Sequence, residues 1–111
     1  MKQMLNFIGY KKNMVEDTKN IVYKYNEDQI IADFKAYIDR TYGEHYKAED
    51  LETFDVWEAM GTASTTSRDT AIKYLMRYGK KNGKNKDDLM KTLHYVLLCL
   101  YIEHYKNGVN T

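Results

Sequence analysis

Proline is absent from all 111 residues, so no position lacks a backbone N–H donor or forces a helix to break by ring clash. On that permissive backbone, apolar residues recur at helical spacing. Ile30, Ile31, Phe34, Tyr37, Ile38 and Tyr42 fall on one face of a helix that opens near Asp28, with Asn26 as N-cap and Gly43 as its stop. After a polar connector, Glu44 to Asp50, a further helical segment carries Leu51, Phe54, Trp57 and Met60 on one face. The hydroxyl-rich run Gly61-Thr62-Ala63-Ser64-Thr65-Thr66-Ser67 reads as a loop, because such side chains compete for backbone hydrogen bonds. Thr66 or Ser67 then caps a helix running to about Tyr78 and ending at Gly79, with Asp69 in its first turn.

Lys80 to Lys86 reads as a basic turn, and Asn85 or Asp87 opens the longest helix, through about Lys106 and closed by Gly108. Leu89, Leu93, Val96, Leu97 and Leu100 occupy one arc of that helix, and Tyr95, Leu98, Cys99 and Ile102 another. A helix apolar on most sides is central or lies at a subunit contact, and in a chain this short both are expected. The predicted fold is therefore all-α: a small helical bundle with a long C-terminal helix, completed by oligomerisation. Residues 27–108 form the helical domain. Residues 1–26 form an N-terminal segment in which Val15 to Tyr25 suits helix or strand, since Ile21, Val22 and Tyr23 favour β structure in a run too short to decide.

Composition narrows the classes of function. Apolar residues make up 43% of the chain, enough for a folded protein. The single cysteine, Cys99, lies in an apolar run, which points to burial and excludes an intrachain disulfide or a cysteine-based metal site. The longest apolar stretch, Tyr95 to Ile102, falls far short of the roughly 20 residues that span a bilayer, so no membrane partner is expected. A cytoplasmic location is expected, since no basic-then-apolar leader with a cleavage site is read in the sequence. The net charge of +1 argues against nucleic acid as partner, because there is no global field to draw it in.

Local charge is more informative. Lys73, Arg77, Lys80 and Lys81 lie along one helical face and into the turn after it. A stripe of that kind can hold several phosphate oxygens at once, and Ser67 at the helix start would add hydroxyl and amide donors to an anion site. Lys91 and His94 lie on the next helix, which a short turn brings back antiparallel. Tyrosines interleave with the charges at Tyr74, Tyr78, Tyr95, Tyr101 and Tyr105 and can offer a ring face to a base. The alternative for the stripe is a solvated helix face. For Tyr74 and its neighbours the alternative is core or interface packing.

Three blocks carry a resemblance: Glu44-His45-Tyr46, Ala71 to Lys81, and Asp88 to Tyr95. Together they resemble a family of tailed-phage nucleotide kinases over roughly residues 44–106, by a His-Tyr, a Lys-Tyr with a nearby Arg, a Gly-Lys-Lys turn and an Asp-Leu-x-Lys before an aromatic. The resemblance implies a small oligomeric kinase of deoxynucleoside monophosphates without a P-loop, working in the host cytoplasm if phage-encoded. The matching positions are His45, Tyr46, Lys73, Tyr74, Arg77, Lys80, Asp88 and Lys91. Asp69-Thr70 stand where that family often has Gly-Asn, a departure that bears on phosphate contact and on catalysis.

The roles expected of these residues come from their chemistry. No Gly-x-x-x-x-Gly-Lys-[Ser/Thr] loop is present, which excludes the Walker route. Lys73 and Arg77, with Lys80, Lys81 and Lys91, are then the charge clamp for phosphate oxygens. His45 or His94 is the candidate proton acceptor, and Tyr46 and Tyr74 accompany the substrate. No covalently bound cofactor and no resident metal are expected, only magnesium arriving with a triphosphate donor. Two alternatives stay open. One is a protein that binds nucleotides or nucleotide signals without turning them over. The other is an all-α nucleotide pyrophosphohydrolase, for which Glu49 with Glu52, or Asp55 with Glu58, supplies one acidic spacing but no second Glu-x-x-Asp follows.

Overall fold

The computed structural model describes residues 20–107, with the side chains of residues 45–48 outside that description. The chain divides into two compact units, Met1–Ala32 and Asp33–Thr111. In the first, Ile21, Val22 and Tyr23 adopt neither helix nor strand; the rest of the expected N-terminal structure, residues 1–19, lies outside the described residues, as does the closing Gly108. Among the described residues there are four helices, α1 (Glu27–Gly43), α2 (His45–Met60), α3 (Ala63–Arg77) and α4 (Lys86–Leu100), and α4 runs into a π-helical turn over Tyr101–Tyr105. Among the described residues there is no strand, and the fold is an all-α small helical bundle, as the periodicity predicts. No described helix is long and apolar enough to cross a membrane.

Local chemistry sets the helix ends. The Asn26 carbonyl accepts the first helical hydrogen bond, from Ile30 N–H at 2.9 Å, and Glu27 and Asp28 place negative charge in the first turn of α1, where the helix dipole favours it. At the end of α2, Gly61 takes φ +78°, and its N–H and that of Thr62 bond the carbonyls of Glu58 and Trp57 at 3.1 and 2.9 Å. This pair of bonds is a Schellman stop, which satisfies carbonyls the helix would leave unpaired. Asn85 caps α4 by accepting the Asp87 N–H at 2.8 Å, as its position predicts.

Two boundaries differ from the sequence expectation. The connector Glu44 to Asp50 is mostly helix, because α2 begins at His45. The hydroxyl-rich run is not a loop either: α3 starts at Ala63 with Thr62 as N-cap, so neither Thr66 nor Ser67 is a cap. The physical reason is visible in the side chains. Within the run, the Ser64 hydroxyl is taken up by Glu103 across the bundle, so it does not compete for the helix's own backbone bonds. The sharp Schellman stop at Gly61 also allows the next helix to begin at once.

Within the second unit α3 and α4 are antiparallel. Ser64 reaches Cys99 and Glu103, Thr92 Oγ1 lies 3.4 Å from the Ala71 carbonyl, and Arg77 meets Asp88. The α3 face carrying Ala63, Ser67 and Ala71 is buried, and small residues there let the two backbones approach closely. Tyr37, Phe54 and Met90 complete the buried apolar core of the described residues. It is a small core. Met60, expected on the inner face of α2, is 68% exposed.

Candidate functional site

Helical spacing places Lys73, Tyr74 and Arg77 together on α3, and the antiparallel return of α4 brings Lys91 to the same place. Lys73 Nζ and Lys91 Nζ each lie 4.9 Å from the centre of the Tyr74 ring, and the Arg77 guanidinium 5.6 Å from it. The sequence-level clamp of Lys73, Arg77 and Lys91 is thus assembled around one aromatic ring. Each cation gains from the ring's negative quadrupole, which offsets part of the repulsion among three like charges.

Asp88 is the counterion of one of the three. Its side chain is buried in the first turn of α4, and Oδ1 stands 3.3 Å from Arg77 Nε. The pairing is one of charge: neither Arg77 Nε nor Asp88 Oδ2 has a hydrogen-bond partner among the described residues. Lys73 and Lys91 make no ion pair among the described residues. Asp88 is the carboxylate paired within the cluster and Asp50 borders the cavity beside Lys91, so the three cations keep a net positive charge that an incoming anion would relieve.

Behind the cations runs an aromatic ladder. Tyr74 stacks on Tyr95 at 6.1 Å between centroids and 7° between planes, Tyr95 tilts against Trp57 at 6.1 Å, and Trp57 meets Phe54 edge-on at 6.3 Å. The ladder ties α2, α3 and α4 together beneath the cluster. Burial raises the Tyr95 hydroxyl well above the ordinary phenol range, and the Asp50 carboxylate pushes it the same way. Tyr95 is thus held as a neutral donor throughout the physiological range.

Lys91 and Tyr95 also border a cavity of about 20 Å³ lined in addition by Tyr37, Thr41, Asp50 and His94. His94 is buried there, edge-on to Phe34 at 6.3 Å and to Tyr37 at 6.1 Å. Burial lowers its pKa below the ordinary imidazole value, and the nearby Asp50 carboxylate acts in the opposite, weaker sense. The imidazole is neutral near pH 7 but enclosed by aromatic rings on the side of α4 that faces α1.

The remaining candidates are spread out. Lys80 and Lys81 are exposed in the turn after α3, where their amides bond the Arg77 carbonyl at 2.9 and 3.3 Å. Ser67 is fully buried, its hydroxyl has no hydrogen-bond partner among the described residues, and it stands inside α3. It therefore offers no helix-end donor to a solvent-borne phosphate, which corrects its assignment to the phosphate site. The side chains of His45 and Tyr46 lie outside the described residues. Trp57 and the pairing role of Asp88 are not among the features the sequence reading singles out, whereas Tyr95 is one of its interleaved tyrosines. The signal for Asp88 was present, since an acidic first turn directly following a helix that ends in Arg77 invites such a pair.

Comparison with curated proteins and with solved structures gave no match. The model of the DUF3310 family, described as a protein of unknown function, matches residues 40–97, a span that holds the whole cation cluster and its aromatic ladder. That span is more than half of the chain, and the protein therefore belongs to the DUF3310 family.

Proposed function

We propose that the chain binds nucleotides through their phosphates on Lys73, Lys91 and Arg77, and transfers a phosphoryl group from a triphosphate donor to a deoxynucleoside monophosphate. The observation that supports this most directly is the convergence of three cations from two helices on Tyr74, with Asp88 as their paired carboxylate. In the absence of a P-loop, charge stabilisation of the transferring group must come from such a clamp. Lys73 and Lys91 would grip the phosphate oxygens. Arg77, fixed by Asp88, would neutralise charge that builds up during transfer, and exposed Lys80 and Lys81 would draw the anion in. Magnesium would arrive with the triphosphate. His45 remains the proton acceptor of this proposal, because His94 is enclosed. The same reading places the protein in the cytoplasm, as a homo-oligomer.

A second reading, binding without turnover, draws on the Arg77–Asp88 pair, since an arginine already engaged in the ground state has less to give a transition state. The pyrophosphohydrolase alternative gains less: Glu58, half of one of its acidic spacings, pairs with Lys106 at 3.3 Å. One assay separates these readings. The purified protein is incubated with each deoxynucleoside monophosphate and a triphosphate, with and without magnesium, and the products are separated chromatographically. Diphosphate formed by the wild type and lost in Lys91→Ala and Arg77→Ala supports the kinase. Saturable binding without product supports the binder, and neither binding nor product refutes both.

A further inference from the structure

The α3–α4 pair leaves a long apolar groove uncovered. Arg68, Ile72, Leu75 and Val96 border a cleft of about 260 Å³, and Arg68 and Val96, with Leu100 and Glu103, border a second of about 270 Å³. Because the two share Arg68 and Val96, they are one continuous groove along the helix pair. Ile72 and Leu75 on α3, and Leu89, Leu93, Val96 and Leu100 on one stripe of α4, are between 37 and 55% exposed. Together these six present on the order of 500 Å² of apolar surface, which is about the apolar share of the ~800 Å² that each partner gives to a standard interface. Patches of that size on a small domain mark interaction sites.

The rim says which partner fits. Arg68 on α3, where the two clefts join, and Glu103 and His104 beyond the end of α4 border the same cleft. Neither Arg68 nor Glu103 makes an ion pair among the described residues, and Glu103 accepts the Ser64 hydroxyl. A two-fold axis parallel to the helices lays α3 of one copy across from α4 of the other at the same height. Arg68 then comes opposite the partner's Glu103 twice over, and the apolar stripes of the two copies meet.

We propose that this groove is the two-fold interface between two copies of the chain, with Ile72, Val96 and Leu100 packed at its centre and Arg68 opposite the partner's Glu103. It deepens the homo-oligomeric part of the reading above and is independent of the nucleotide part. The test is the mass of the full chain at micromolar concentration by light scattering after size exclusion. The wild type is expected at twice 13.2 kDa, or at a higher even multiple, and Val96→Glu at half the wild-type mass with its helical circular dichroism retained. Arg68→Glu and Glu103→Arg, each alone, should weaken association roughly tenfold or more, and mixing the two should restore it, a result that stands even where Val96→Glu fails to fold. A monomeric wild type overturns both the interface and the homo-oligomer. An oligomer unchanged by Val96→Glu, or charge variants that do not rescue each other, overturns this interface alone.

Discussion

Arg77 Nε stands 3.3 Å from Asp88 Oδ1, so the last turn of α3 is tied to the first turn of α4 across the basic turn that separates them. The Asp88 side chain is 3% exposed and that of Arg77 30%, so the pair is sealed on the acid's side and open on the base's. Removing the acid leaves a half-buried guanidinium beside two lysines. Asp88→Asn is expected to destabilise the fold by about 2–3 kcal/mol, read as a shift of the urea midpoint without change in slope. An unchanged midpoint would mean that the pair adds nothing to the join between the helices.

Lys73 and Lys91 should behave differently, because neither is ion-paired among the described residues. Substituting either by Ala removes repulsion as well as a cation–π contact, so stability should move by no more than about 0.5 kcal/mol. Nucleotide affinity should fall by roughly tenfold for each, with a weaker dependence on salt, because a charge-assisted contact to an exposed phosphate is worth ~1.5–3 kcal/mol at most and is partly screened. Calorimetric titration of each variant with a deoxynucleoside monophosphate at two salt concentrations checks both statements. Equal affinity in wild type and the double variant would remove the cluster as the phosphate site.

Much of this arrangement was legible before the fold was known, and the reason is local. Lys73, Tyr74 and Arg77 share a face by helical spacing alone, and the glycine and asparagine punctuation between Gly79 and Asn85 signals the turn that returns Lys91 to them. Illegible features depended on distant packing. Ser67 looked like a cap because hydroxyl residues favour helix starts, yet its burial against α4 is a tertiary fact. Tyr95 and Trp57, 38 positions apart in sequence, meet only after α2 and α4 pack. The start of α3 at Ala63 shows propensity overridden by a Schellman stop that delivers the chain directly into the next helix.

Trp57 is the single tryptophan, and it lies 6.1 Å from Tyr95, which in turn stacks on the ring that gathers the cations. Tyr95→Ala would remove the middle of this ladder and leave a cavity between three helices, at a cost of about 3–4 kcal/mol. Tyr95→Phe keeps the stack and loses the hydroxyl, so it should cost about 1 kcal/mol. Trp57 emission should shift to the red in Tyr95→Ala at native conditions and not in Tyr95→Phe. Identical spectra for all three proteins would place Trp57 outside the ladder.

His94 predicts a pH dependence whose sign follows from its burial. Desolvation lowers its pKa in the folded state below the unfolded value of 6.5, while Asp50 partly offsets that shift. Between the folded and unfolded pKa the unfolded chain binds a proton that the folded chain does not, so stability declines as pH falls from about 6.5 toward the folded pKa and is level above it. Replacing the imidazole by a side chain that does not titrate should remove that decline. In His94→Gln, urea midpoints taken between pH 5 and pH 8 should lose the part of the slope that lies just below 6.5 while the carboxylate-driven loss at lower pH persists. A wild-type midpoint that rises on acidification through this window would instead mean that Asp50 dominates and that the imidazolium is the form the fold prefers.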